Sequence, residues 1–480
     1  MRPGKWLLFA GPALLLLLPV SIPAFGQGAK IPPSGAPLRE NERDNPQERA
    51  RWFLRGRTVN GTPGAAQLRH AYEQKLNNRR LRALQAAQAA SARVGAASGA
   101  TGAQAGVAAP SAANLPAPNG VAWMPVPAGT AAIKTDPGQD YGLVVGRATS
   151  VVVDQSDLTG NTVYLGGASG GLWRSTNAAN SDPMQVLWTP LIDDQATIAV
   201  GAIALQPGNS NLIIVGTGEA NNSADSYYGL GFLVSSNGGG SWTLVDHATG
   251  TRTVQCNGAT SCTIPLHGLG ITHMAFSTDN TNIVVAAAAA ASGGIQVGAE
   301  TGGGNVRGLY WSTDAGNNWT YATVTDPPGT TSPSGLADPG STTAVIYNPV
   351  RHLFYAAYRY HGLYSSQDGV TWTRLPSQPG ASTLNLNGLC PATPFSRQCP
   401  LYRAELAIVR NTDGSYRDEM YTWIVDSSNA DQGVYQTLDG GTTWTSISTS
   451  GLANCGDGSN GACDTNQGTY NLTLAGAPNG

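Results

Sequence analysis

The chain has 480 residues, a formal net charge of −3 and only 12% charged residues. That balance excludes the basic surface that nucleic-acid recognition requires. Glycine is abundant, at 61 residues, and together with Ser, Thr and Asn it points to a turn-rich β-protein of the extracellular kind.

Residues 1–26 carry Arg2 and Lys5, an apolar run from Trp6 to Val20, and then Ala24-Phe25-Gly26. This is the pattern of a secretory signal peptide cleaved before Gln27, so the expected location is secreted, periplasmic or cell envelope. An uncleaved anchor is the alternative, opposed by Pro12, Pro19 and Pro23 and by the shortness of the run. No later segment is long and apolar enough to span a membrane; the alanine run Ala286–Ala291 is strand-sized. Residues 27–120 form a second region. Between Arg39 and Arg93 it holds twelve Lys/Arg against five Asp/Glu, and Val94–Gly120 is an Ala/Gly/Pro/Ser-rich linker. Within it, Ala65–Arg93 is predicted to be helical, with Leu68, Ala71, Tyr72, Leu76 and Leu84 able to share a face. Such a segment either attaches to an acidic envelope or polysaccharide or, more simply, is a solvated helix leading into the next domain.

Residues 121–480 are repetitive. Four phrases read almost alike: SSNGGGSW ending at Trp242, STDAGNNW at Trp319, SSQDGVTW at Trp372 and TLDGGTTW at Trp444. The tryptophans are 77, 53 and 72 residues apart, so one structural unit recurs with loops of different length. A Gly-aliphatic-aromatic phrase precedes three of them (Gly308-Leu309-Tyr310, Gly362-Leu363-Tyr364, Gly433-Val434-Tyr435), and a β-rich run follows. Two strands around a short polar, Gly-containing stretch predict a hairpin. Asn237, Asp314, Asp368 and Asp439 are placed to accept hydrogen bonds from turn amides. Gly239, Gly316 and Gly441 permit positive φ, and each Trp offers an apolar face to a neighbouring unit. A degenerate copy at Ser175-Thr176-Asn177 lacks the Gly and carries an insertion before Trp188, and the third copy is one residue short.

This pattern resembles the Asp-box, or bacterial neuraminidase, repeat over roughly residues 123–480. Sialidases, sortilin-type ectodomains and xyloglucan-active endoglucanases share that repeat. Val163–Ala179 and Leu187–Gly231 look particularly like secreted bacterial Asp-box proteins described as glycosyl hydrolase-like. The resemblance implies an all-β fold, a β-propeller of four-stranded blades, following the short N-terminal helical segment. Five blades are expected, at about Gly146–Ile192, Ala196–Asp246, Gly270–Val324, Thr342–Leu375 and Tyr402–Ile447. Trp123-Met124-Pro125-Val126 reads as an orphan closing strand, and 468–480 as the opening of a sixth blade, so the domain is expected to be incomplete, truncated from a larger ring. The six cysteines fall into three local pairs: Cys256 with Cys262, Cys390 with Cys399, and Cys455 with Cys463. These predict three disulfides rather than a metal site.

In such a ring the box turns lie on the face away from a ligand. The box residues Asn237, Trp242, Asp314, Trp319, Asp368, Trp372, Asp439 and Trp444 are therefore expected to be structural. The opposite face gathers the candidates for chemistry. Glu219, Asp225 and Asp194 are the candidate catalytic acids, since paired carboxylates are what glycoside hydrolysis needs. Asn221, Tyr227, Tyr228, Arg359, Tyr360 and His361 are the candidate ligand-binding residues. No Arg-Ile-Pro phrase is present, which argues against true sialidase chemistry. The expected function is a secreted glycan- or protein-binding scaffold with no cofactor and no metal. The alternative is a glycoside hydrolase-like enzyme acting on extracellular polysaccharide.

Overall fold

Each of the five repeated segments folds into four strands that pair antiparallel in chain order. In a computed structural model the described residues are 58–59, 62–63, 69–81, 84, 147–182, 185–220, 226–251, 256, 258–289, 307–325, 341–359, 361–380, 401–411, 413–426, 431–447 and 472–476. All belong to one unit of the chain. The predicted strand at Trp123–Val126 lies outside them.

From the axis outward, blade 1 comprises Ala148–Val153, Val163–Gly167, Gly171–Ser175 and Thr189–Pro190. Blade 2 comprises Val200–Gln206, Asn209–Thr217, Phe232–Ser235 and Thr243–Val245. Blade 3 is built on Gly270–Phe276, Val284–Ala289, Gly308–Ser312 and Thr320–Tyr321. Blade 4 is built on Thr342–Asn348, Leu353–Tyr358, Gly362–Ser366 and Thr371–Arg374, and blade 5 on Arg403–Arg410, Tyr416–Val425, Asp431–Thr437 and Thr445–Ile447. The inner strands touch in succession from blade 1 to blade 5, so the chain is an all-β, five-bladed propeller. Residues 472–476 lie along the far side of blade 5's inner strand. There Arg403 Nη2 donates to the Leu472 carbonyl at 2.9 Å, and Leu472 is buried. This is the place of a sixth inner strand.

Two blades are wider than the expected four strands. The stretch around Cys256 and Cys262 is a hairpin of His247–Gly250 and Cys262–Pro265 that joins the outer edge of blade 3, Thr249 pairing in parallel with Thr320. Thr323–Thr325 does the same for blade 4. Short strands ending in Gly and Pro carry too little alternation to be read from sequence.

Of the three predicted disulfides, one is present among the described residues. Cys256 and Cys262 are bonded, with Cα atoms 5.4 Å apart. The other two predicted bonds, Cys390 to Cys399 and Cys455 to Cys463, fall on residues outside the described ones. The structure therefore bears out the first pairing alone. Cys262 opens a strand whose partner, Gly250, has no side chain to hold the two sulfurs away.

The repeated turns show why their residue types recur. In each, a Ser or Thr hydroxyl donates to the acid or amide two residues on: Ser235 to Asn237 at 2.9 Å, Ser312 to Asp314 at 2.7 Å, Ser366 to Asp368 at 3.0 Å and Thr437 to Asp439 at 2.8 Å. The same side-chain oxygen of that acid or amide then accepts an amide N–H from the residue before the Trp, as from Asn318 to Asp314 and from Thr443 to Asp439, both at 2.9 Å. The glycine between has φ of +88°, +89° or +89° at Gly239, Gly316 and Gly441, a region closed to most side chains. The degenerate first copy keeps the same bond, Ser175 to Asn177 at 3.1 Å, and Asn177 still accepts the Leu187 amide at 2.8 Å across the insertion.

Blades adhere through a second recurring device. The inner strands of blades 1 to 4 each slip register near their start, at Thr149, Gly201, Thr272 and Thr343. Each bulge turns that residue toward the next blade. Thr149 donates to the Val200 carbonyl at 2.6 Å, Thr272 to that of Thr342 at 3.0 Å, and Thr343 to that of Ala404 at 3.0 Å. In blade 2 the position is Gly201, because a Cβ there would sit 2.0 Å from the Ile271 carbonyl oxygen. Four apolar clusters fill the junctions 1–2, 2–3, 3–4 and 4–5. Trp319 stacks on Phe232 of blade 2 with centroids 4.0 Å apart, and Trp372 is fully buried among blade 3 side chains. The run Val284–Ala289 is small and wholly buried because it lies between two such clusters.

Residues 69–81 are helical, within the predicted Ala65–Arg93. Polar contacts hold the helix to the ring: Arg69 Nε lies 2.7 Å from the Asp246 carboxylate, and Lys75 Nζ donates to the Asp194 carbonyl at 2.6 Å. Leu76, Leu81 and Leu84 stay exposed. Among the described residues no helix is long and apolar enough to cross a membrane.

Candidate functional site

The starts of the inner strands surround an axial cavity of 510 Å³, at the end of the ring opposite the repeated turns. That size suits a small ligand or the end of a longer one. Blade 1 contributes Arg147, blade 2 Glu219, blade 3 His273 and blade 5 Arg403 and Glu405, while Leu472–Ala475 close the remaining side. A cavity of 590 Å³ opens at the turn end, with Met274, Phe276 and Ile346 in its wall. His273 lines both, so it stands at the waist between them.

Glu219 leaves the second strand of blade 2 and is fixed by its own backbone, whose N–H donates to the Tyr227 carbonyl at 2.7 Å. Its carboxylate lies 2.7 Å from Arg147 Nη2. On the other side, the bulge at Thr272 swings His273 toward the axis. His273 Nδ1 is 3.0 Å from the Thr343 carbonyl and Nε2 is 3.1 Å from the Glu405 carboxylate. Strand alternation puts Arg403 on the same face as Glu405, where its Nε and Nη2 donate at 3.1 and 2.8 Å. The Thr343 carbonyl and the Glu405 carboxylate are both acceptors, an arrangement that favours the doubly protonated, cationic ring. The direction of its titration agrees. Burial acts to lower the His273 pKa, but the Glu405 charge and hydrogen bond outweigh it and raise it above 6.5. Burial likewise pushes Glu405 up, and the neighbouring His273 and Arg403 bring it below the ordinary carboxylate value.

Of the residues predicted from sequence, Glu219 lines this cavity. Asp194 lies on the exposed connection between blades 1 and 2, where Gln195 Nε2 donates to its carboxylate at 2.6 Å and the helix docks. Tyr227 and Tyr228 stack with centroids 4.5 Å apart beside the Glu219 backbone, Tyr228 buried. Arg359 and His361 are both buried, Arg359 between blades 4 and 5. Arg359 Nε donates to the Tyr402 carbonyl at 3.1 Å with its guanidinium over the Tyr402 ring, and the His361 carbonyl accepts from Arg374 at 2.6 Å. Asp225, Asn221 and Tyr360 lie outside the described residues. The cavity's other ionisable residues, Arg147, His273, Arg403 and Glu405, were not singled out. Their signal was polar residues opening otherwise apolar strands, as in Arg403-Ala-Glu405-Leu-Ala-Ile.

No family model matches the chain, and no curated protein matches it. Solved structures similar in part include a GH74 xyloglucanase from Xanthomonas campestris, at 14% identity and TM-score 0.33, covering 64% of this chain and 46% of that one. YCF48 bound to D1 peptide matches at 14% identity and TM-score 0.30, covering 62% and 68%. An auxiliary nutrient binding protein from Bacteroides thetaiotaomicron matches at 10% identity and TM-score 0.32, covering 63% and 57%. The alignment thus spans about half the length of the xyloglucanase. The fold described above rests on the strand pairings of this chain itself.

Proposed function

We propose that the chain is a secreted propeller of the Asp-box repeat class that binds a glycan, or the end of a protein ligand, in its axial cavity. The observation that carries this reading is the convergence of Arg147, Glu219, His273, Arg403 and Glu405, from four separate blades, on one 510 Å³ space. Buried charges from distant parts of a chain are costly to assemble for stability alone. The repeated Ser/Thr-to-Asp/Asn turns and the signal-like start support the class and the export. The rival reading, hydrolysis of an extracellular polysaccharide, needs one acid free to protonate a leaving group and a second to attack or to activate water. The two described carboxylates in the cavity are both ion-paired, which favours binding. The test is calorimetry of the purified chain against a panel of neutral and acidic oligosaccharides and short peptides, with reducing-sugar release measured in parallel. Binding without release, lost on substitution of Arg147, is the expected result; release of reducing sugar dependent on Glu219 would establish the hydrolase instead.

A further inference from the structure

The charges of the axial cavity are arranged in two layers. Glu219 and Glu405 form the deeper one, with side chains 1% and 5% exposed. Arg147 and His273 stand in front of them, 23% and 35% exposed. Arg403, at 9%, lies against Glu405 and is tied to the Leu472 carbonyl. The acids therefore act as props that hold cations at the cavity surface. Among the described lining residues, three cations (Arg147, His273, Arg403) face two carboxylates, a balance of one positive charge while His273 is protonated. The walls between them include Ile271, Leu472 and Leu474, whose low polarity strengthens the field of that charge.

Building on the reading of this cavity as the binding site, we infer that its ligand is an anion, a compact carboxylate that seats against Arg147 and His273. Both acids are buried and paired with cations, whereas neutral-sugar hydrolysis requires carboxyl groups open to the reacting bond. The Arg147 guanidinium matches a carboxylate in charge and in hydrogen-bond donors, while His273, whose two nitrogens already face the Thr343 carbonyl and Glu405, contributes its charge. The ligand's affinity then depends on the proton shared within the His273 cluster. The groups facing that imidazole are Glu405 and Arg403 of blade 5 and the Thr343 carbonyl of blade 4, with the Arg147–Glu219 pair lining the same cavity. Because its pKa is raised above 6.5, binding is full at lower pH and weakens as pH rises through the raised value.

The experiment uses two probe pairs that differ only in the carboxylate: glucuronate against glucose, and N-acetylglycine against N-acetylglycinamide. Each is titrated calorimetrically into the full chain at acid and alkaline pH. In at least one pair the charged member is expected to bind about ten- to a hundredfold more tightly, the span of a hydrogen bond to a charged group, and the pair that shows it names the ligand's source. His273→Gln, which keeps a donor, is expected to remove the pH dependence, and Arg147→Gln to remove most of the preference. Equal affinity within both pairs, or no binding of either charged probe, overturns the inference. Neutral glucose oligomers binding in an Arg147-dependent way would leave the cavity reading standing while this inference falls. Tight binding of charged probes unaffected by either substitution would place the site elsewhere and overturn both.

Discussion

The junction between blades 4 and 5 and the junction between blades 5 and 1 use different adhesives. At 4–5 the bulged Thr343 bonds to Ala404, an apolar cluster joins Ala344, Tyr355 and Leu363 to Leu401, Leu406 and Met420, and Arg351 pairs with Asp418 at 2.7 Å on the turn face. Junctions 1–2, 2–3 and 3–4 have the same apolar filling. No described cluster joins blade 5 to blade 1. Blade 5's inner strand slips register late, near Val409, so no hydroxyl is turned outward at its start. Arg403 and Glu405 occupy that place and serve the cavity, while Val151 and Val153 of blade 1 remain 61% and 41% exposed. Arg410 bonds to Gln155 across the turn face, and 472–476 stand between the inner strands at the cavity end. Adhesion between blades is thus a property of the bulged inner strand, and where the bulge is absent the space is given to charge.

Substitutions at the two kinds of junction should separate accordingly. Trp319→Ala empties the stack on Phe232 at a filled junction and is expected to cost about 3–5 kcal/mol in denaturant unfolding, as large aromatic truncations do. Gly201→Ala drives a methyl into the Ile271 carbonyl and should cost about 1–3 kcal/mol, occasionally more. Thr343→Val leaves the Ala404 amide, which donates to that hydroxyl at 3.1 Å, without its acceptor, for about 1–2 kcal/mol. Asp439 supplies a pH test. The Thr443 hydroxyl and amide hold its carboxyl down at about 2, from an ordinary 3.8. Its contribution is therefore complete above pH 3.8 and lost as pH falls through about 2. Urea midpoints of the parent and of Asp439→Asn should differ at neutral pH and converge at the acid end. The smallest effects belong to the open junction: Val151→Ser and Arg410→Ala should each stay within about 0.5 kcal/mol. A loss there as large as at Trp319 would show that the fifth junction is closed by the same means as the others, and the contrast would collapse.

The fold was legible because the turn motif combines a hydroxyl, an acid or amide, a glycine and a tryptophan, each with a separate geometric duty. Even the degenerate copy at Ser175 kept the hydroxyl and the amide, and with them the turn. The hairpin at 247–265 was hidden because its strands are too short to alternate visibly. The site was legible only at Glu219, where a long β run ends in a loop facing the axis. Arg359 sits on the corresponding loop of blade 4 but points toward blade 5, and His361 beside it is buried. Loop position fixes which end of the ring a residue occupies and not which way its side chain turns. His273 could not be placed because a one-residue bulge reverses the facing of its strand, and the bulge is set by the partner strands.

The hairpin beside blade 3 and the added strand beside blade 4 bear on how the molecule behaves in a crowd. A propeller hides its apolar faces between blades yet leaves the rim of each blade as an open row of amides and carbonyls, to which a stray strand can attach. In two adjacent sectors that row is already taken by the chain's own residues, paired in parallel through Thr249 and through Thr323–Thr325. What faces outward at blade 3 instead is a four-residue strand ending in Pro265, leashed by the bond from Cys256 to Cys262. Among the described residues the rim is therefore sealed at blades 3 and 4, while the outer strands of blades 1, 2 and 5 carry no added strand and are where strand-to-strand self-association would begin. Breaking the leash with a mild thiol would bare one sector more.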